Sequence, residues 1–178
     1  MVIEPLIKAH DCKRIDCTEE WMVEEKDRED ADDMNHFIRH HALDQVKKGI
    51  SRTFVLRDID GEEPNRVLAY YSTSVGHLAP VDIPKVVSPR MTIPVIFLLR
   101  LAVDKNFQRR GFGAKLMIHF LVQVVQLANQ TGIYALVLEP LNEHVRSFYQ
   151  KFGLLPLPRD PNRMYVRIRD IEEWLKQH

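Results

Sequence analysis

The sequence is poor in cysteine, has no long apolar run and carries no net charge. Cys12 and Cys17 are the only cysteines in 178 residues. A lone C-x4-C without histidines at suitable spacing cannot complete a four-ligand zinc site, so no metal is expected. The pair reads as two reduced thiols of a cytoplasmic protein. No apolar stretch approaches the ~20 residues of a membrane span, and the longest candidate, residues 93–103, is interrupted by Arg100. The N-terminus lacks a basic region followed by an apolar one, so no signal peptide is expected. G-x-S-x-G, H-E-x-x-H and acidic pairs at catalytic spacing are also missing.

What remains is a chain 45% hydrophobic and 28% charged, without repeats or low-complexity linkers, which implies one globular domain over residues 1–178. The neutral total hides an asymmetry. Residues 1–64 hold 10 Lys and Arg against 17 Asp and Glu, and the remainder holds 15 against 8. Internal neutralisation and a polyanionic partner for the basic part are both open readings. Acids crowd residues 19–33, which read as a solvated helix or loop anchored by Trp21, Met22 and Val23.

Period and turn chemistry predict strands at 2–7, 52–58 and 67–75, the last two forming a hairpin across Asp60-Gly61. A helix is expected over 34–48, ending at Gly49. Prolines at 80, 84, 89 and 94 mark an irregular connection. Residues 95–103 and 133–138 are strands apolar on both faces, and the long helix between them, 111–130, implies a parallel crossover. On that helix Met117, Phe120, Leu121, Val124 and Ala128 face the core. Lys115, His119, Gln123, Gln126 and Gln130 face away. A short helix at 142–152, a strand at 164–168 and a helix at 170–177 complete an α/β chain.

Two constellations carry chemistry. Gln108-Arg109-Arg110-Gly111-Phe112-Gly113-Ala114 leads from the first apolar strand into the long helix. Gly111 and Gly113 permit φ > 0 and close backbone approach. The N–H groups of 109–114, backed by the helix dipole and two arginines, suit a pyrophosphate. The pattern lacks the third glycine of a dinucleotide fingerprint and the Lys-Ser/Thr ending of a P-loop. Later, Asn142 is a good N-cap, and Asn142, Val145 and Tyr149 fall on one side of a helix. Phe148 and Phe152 read as core, whereas the polar tip of Tyr149 needs a partner.

Together these segments resemble GNAT-type N-acetyltransferases, whose loop reads Gln/Arg-x-x-Gly-x-Gly/Ala and whose later helix reads Asn-x-x-Ala-x-x-x-Tyr, here with Val145 in place of Ala. A narrower likeness to TacT-like toxins runs through Ile50–Leu56, Leu68–Tyr71, Pro94-Val95, Arg100–Asp104 and Phe148–Gly153. The chain departs from that group in its acidic 19–33 segment, in Cys17-Thr18 where the group has Cys-Gly, and in its neutral charge.

The resemblance implies a GNAT fold: a mixed central sheet whose central parallel strands splay, with helices on both faces. It implies acetyl-CoA as cosubstrate, paired along the backbone of Leu101, Ala102 and Val103 as an added strand would be. Gln108 to Ala114 would grip the pyrophosphate, Asn142 would steady the pantetheine end, and Tyr149 would protonate the leaving thiolate. The implied acceptor is the α-amino group of aminoacyl-tRNA, with Arg90, Arg100, Lys105 and Arg146 available to phosphates. Alternatives are a small amine or protein N-terminus as acceptor, or a non-catalytic acyl-CoA-binding module. A ribbon–helix–helix antitoxin, a homodimer and no membrane association are also implied. Glu139, at the end of the second apolar strand, is the only acid near the implied cleft and reads as a solvated strand end or a water-mediated base.

Overall fold

The computed structural model describes residues 1–19, 25–79, 82 and 92–178. Its strands are β1 (Val2–Pro5), β2 (Arg52–Arg57), β3 (Val67–Leu78), β4 (Ile93–Val103), β5 (Ala135–Leu138), β6 (Leu155–Pro156) and β7 (Met164–Arg167). Its α-helices are α1 (Glu25–His36), α2 (Ala42–Lys48), α3 (Phe112–Thr131), α4 (Glu143–Gln150) and α5 (Ile168–Gln177). The strands form a seven-stranded mixed sheet ordered β1-β2-β3-β4-β5-β7-β6. The chain separates into two compact units, residues 1–73 with 99–119 and residues 74–98 with 120–178.

In the first unit β2 pairs antiparallel with β3, as the hairpin pattern required, and on its other side antiparallel with β1. Its core joins Leu6, Ile15, Cys17, Phe37, Ile38, Ala42, Val55, Val67, Tyr70 and Ala102. The Tyr70 hydroxyl, buried with its ring, donates to the Met34 carbonyl at 2.8 Å. The helix expected over 34–48 is not continuous. α1 begins nine residues earlier, at Glu25, and includes the acids of 25–33. A π-helical turn over Phe37–His41 then separates it from α2. The wider turn brings residues five apart onto one face. Phe37 and Ala42 are thereby both buried, and outside, the His36 ring lies 4.7 Å from His40 and 4.9 Å from His41. Glu20, Trp21, Met22, Val23 and Glu24 lie outside the described residues, as do prolines 80, 84 and 89.

In the second unit β4 and β5 are parallel, in the register Val95↔Ala135 through Leu98↔Leu138. This is the crossover that two apolar strands flanking a long helix imply. The ladder ends there because β5 ends, while β4 runs on to Val103. β7 pairs antiparallel with β5 and with the two-residue β6, a strand too short for sequence pattern to reveal. Leu78, Ile93, Val95, Ala135, Val137 and Leu157 form this unit's core cluster. Gly76 sits beneath the Phe97 ring, where a Cβ would lie 2.7 Å from Phe97 Cε2.

Among the described residues α3 is the one helix long and apolar enough to cross a membrane by length and composition alone, although no apolar run of that length stands in the sequence. A core helix passes the same test, and Leu116, Met117, Phe120, Leu121 and Val124 are buried. One expectation about this helix needs correction. His119 does not face away. It lies half-buried against Phe54, with Nδ1 3.0 Å from the Tyr71 hydroxyl. Burial lowers its pKa below the ordinary imidazole value.

Candidate active site

The loop after β4 is organised by Asp104, whose side chain is 0% exposed. Its backbone N–H donates to the Leu68 carbonyl at 2.8 Å. Its carboxylate accepts from the Asn106 backbone and side chain, both at 3.0 Å, and from the Asp16 N–H at 3.2 Å. The Arg66 guanidinium stands 3.6 Å away. An Asp side chain commonly accepts from the backbone N–H two residues on, and that turn chemistry is the one signal in the chain that points to this role. A 3₁₀ turn over Lys105–Phe107 follows, and the Arg110 guanidinium lies over the Phe107 ring at 5.4 Å.

Next comes the glycine segment. Arg109 has φ 58° and Gly111 φ 80°, both left-handed. Gly113 differs from expectation: it lies within α3 and has no positive φ, so the pair that turns the chain is Arg109 and Gly111. Alternating left-handed residues make successive N–H groups converge on a concavity that suits an anion. The first helical bond runs from the Lys115 N–H to the Gly111 carbonyl at 2.9 Å. The N–H groups of Gly111, Phe112, Gly113 and Ala114 therefore precede the helical ladder. Arg109, Arg110 and Gly111 are exposed. The Gln108 side chain has another use, donating from Nε2 to the carbonyls of Val103 at 3.0 Å and Thr18 at 3.1 Å.

The second constellation lies in the other unit. Asn142 caps α4, its side-chain oxygen accepting from the Val145 N–H at 3.1 Å. Tyr149 is 6% exposed and packs edge-on to Phe148 at 5.2 Å. Phe152 is buried against Phe148 and against Trp174 of α5.

The predicted phosphate-binding cations are engaged with acids. Arg100 pairs with Asp33 at 2.8 Å and lies 4.1 Å above the Phe37 ring. Lys105 pairs with Asp16 at 2.8 Å, and Arg146 with Glu143 at 3.0 Å. Arg90 lies outside the described residues. Leu101, Ala102 and Val103 occupy the part of β4 beyond its last β5 partner, and the Val103 carbonyl already holds Gln108. Glu139 is exposed, with Arg163 Nε at 3.6 Å. Burial raises the pKa of both thiols, Cys12 to about 11, so neither is a ready nucleophile at neutral pH.

These features agree with what the chain resembles. The model of the Acetyltransferase (GNAT) family matches residues 14–154. A tRNA-acetylating toxin of Mycobacterium tuberculosis (strain ATCC 25618 / H37Rv) is 34% identical over 154 residues, 79% of this chain and 89% of the relative. The structure of AtaT complexed with acetyl-methionyl-tRNAfMet superposes with a TM-score of 0.82 at 27% identity, covering 98% of each chain. A mutant AtaT toxin bound to the C-terminus of the antitoxin AtaR and acetyl-CoA gives a TM-score of 0.75 at 27% identity, covering 99% of this chain and 98% of that one. A family match across most of the sequence, on an anion-suited loop ahead of α3, establishes that the chain belongs to the GNAT acetyltransferase family.

Proposed function

We propose that this chain is an acetyl-CoA-dependent toxin that acetylates the α-amino group of aminoacyl-tRNA and so blocks translation. The observation that carries the acceptor assignment is the similarity to a tRNA-acetylating toxin along 79% of the chain. The domain is residues 1–178, working in the cytoplasm as a homodimer that a ribbon–helix–helix antitoxin restrains. The loop at Arg109 and Gly111 supports the cofactor assignment, because its converging N–H groups fit a diphosphate.

The backbone of Leu101, Ala102 and Val103 lines the pantetheine arm, residues 109–114 hold the pyrophosphate while the Gln108 side chain braces the loop, and Asn142 steadies the pantetheine end. The acceptor supplies its own reactivity. An α-amino group with a pKa of about 7.7–8.0 is roughly a tenth neutral at pH 7. A lysine amine lies some three units higher, a deficit of roughly 4 kcal/mol that would require a dedicated base. The solvated Glu139, with Arg163 beside it, makes a weak candidate for such a base. Tyr149 acts as the acid, donating its phenolic proton to the thiolate as the thioester bond breaks.

The test is incubation with acetyl-CoA and a total pool of aminoacylated tRNA, with mass identification of products. N-acetyl-aminoacyl-tRNA is the expected product, and Tyr149→Phe should lower kcat by about 10²–10⁴-fold with acetyl-CoA affinity nearly unchanged. Acetylation of polyamines or peptides with the tRNA pool untouched would overturn the acceptor assignment. Undiminished turnover in Tyr149→Phe would remove that residue from the mechanism.

A further inference from the structure

Residues 15–18 follow β1 by ten positions and carry none of the chemistry above, yet their backbone is held unusually firmly. Two consecutive peptide N–H groups are each met by a buried polar side chain from a distant element. Asp16 donates to Asp104 at 3.2 Å and Cys17 to Asn35 Oδ1 at 2.8 Å. Asp104 is held in turn by Asn106, so the Asp16 N–H meets an acceptor fixed by the loop after β4. The Asp16 carbonyl accepts from the Lys105 N–H at 2.7 Å, and the Thr18 carbonyl from Gln108 Nε2. On the other side Arg39 donates to the Ile15 carbonyl. Asn35 and Arg39 also line an open recess of about 430 Å³, together with Asp32, Asp33, His36 and His40.

We propose that Gln108 is a positioning residue through which segment 15–18 couples the anion-binding loop to the recess on α1 and its π-turn. The inference rests on the acetyl-CoA reading. Its physical basis is that one NH₂ group ties the end of β4, at Val103, to Thr18, immediately before the left-handed Arg109. A diphosphate that fixes the loop thereby fixes residues 15–18, and these in turn hold Asn35 and Arg39. Coupling of this kind is reciprocal.

Hydrogen exchange on the full chain, with and without saturating acetyl-CoA, tests it. The unsubstituted protein should show slowed exchange both at 109–114 and at 15–18, by about fivefold or more. Gln108→Met, which keeps length and loses the donors, should retain protection at 109–114 and lose a measurable part of it at 15–18, where the Asp104 and Lys105 bonds to Asp16 remain. Gln108→Arg, which keeps donors, should restore it. A second variant works from the far end: Asn35→Leu, which loses the acceptor oxygen, should weaken acetyl-CoA binding about fivefold under conditions where thermal melts show the variant folded. Undiminished protection at 15–18 in Gln108→Met, or unchanged acetyl-CoA affinity in Asn35→Leu, would overturn the coupling. Protection at 109–114 alone in the unsubstituted protein overturns it while leaving the cofactor reading intact. No protection at 109–114 removes both.

Discussion

Substituting Gly111 separates the two things a glycine can provide, room and conformation. A Cβ built at Gly111 meets no atom within 4 Å, so a methyl group has room in this loop. The backbone there has φ 80°, a left-handed conformation that costs an L-residue about 1–2 kcal/mol. Gly111 is exposed and outside the core, so an alanine variant can relieve that strain by relaxing the loop. The cost then falls on cofactor binding, which must restore the turn. At 1.4 kcal/mol per tenfold, Gly111→Ala should raise the KM for acetyl-CoA by roughly 5–30-fold, with kcat at saturation and thermal stability nearly unchanged. Gly111→Asn should be milder, because asparagine tolerates this region. Initial rates against acetyl-CoA concentration, with thermal melts of each variant, supply the numbers. A KM for Gly111→Ala within about twofold of the parent, or an equal defect in Gly111→Asn, would refute the claim that the left-handed turn matters for the anion.

Three further outcomes follow from the structure. Gly76→Ala should destabilise by about 1–3 kcal/mol in urea unfolding, because its Cβ would press on Phe97, and adding Phe97→Leu should recover much of that loss. Asn142→Ala should cost about 1 kcal/mol of stability through the lost cap, and Asn142→Ser much less; equal losses would show that capping is not the cause. Burial lowers the folded-state pKa of His119, and burial followed by the Arg57 charge lowers that of His10. Both sites therefore favour neutral imidazole on folding. Their contribution is complete above the free value near 6.5 and is lost as pH falls through it toward the folded values. Melting temperature should decline from pH 7 to pH 5, and His119→Gln should shallow that decline.

Much of this chain was legible before its structure, for identifiable reasons. The β4–α3–β5 crossover is written in two doubly apolar strands around a helix with one clear apolar face, and its parallel register is what that pattern requires. Asn142 announces its cap by its position ahead of α4. The π-turn at Phe37–His41 was not legible, because its cause is tertiary: Phe37 and Ala42 must reach one core. The same applies to His119, whose neighbours on the helix face, Lys115 and Gln123, are polar but whose partners, Phe54 and Tyr71, come from two strands far upstream. The Gln108 side chain was assigned with its loop to the pyrophosphate, yet it holds two carbonyls, one of them ninety residues earlier. Side-chain amides take partners by proximity in space, and no local pattern records that choice.

The widened turn between α1 and α2 makes chain length here a matter of rotation. Each residue of an ordinary helix advances the axis by about 100°. A deletion inside α1 or α2 would therefore swing everything beyond it by that angle. Between Phe37 and His41 it would not: the turn would close into regular α-helix, Phe37 and Ala42 would stand four apart instead of five, and both would still face the core. The widened turn is thus the one stretch between Glu25 and Lys48 where the loss of a single codon leaves the faces of both helices in place.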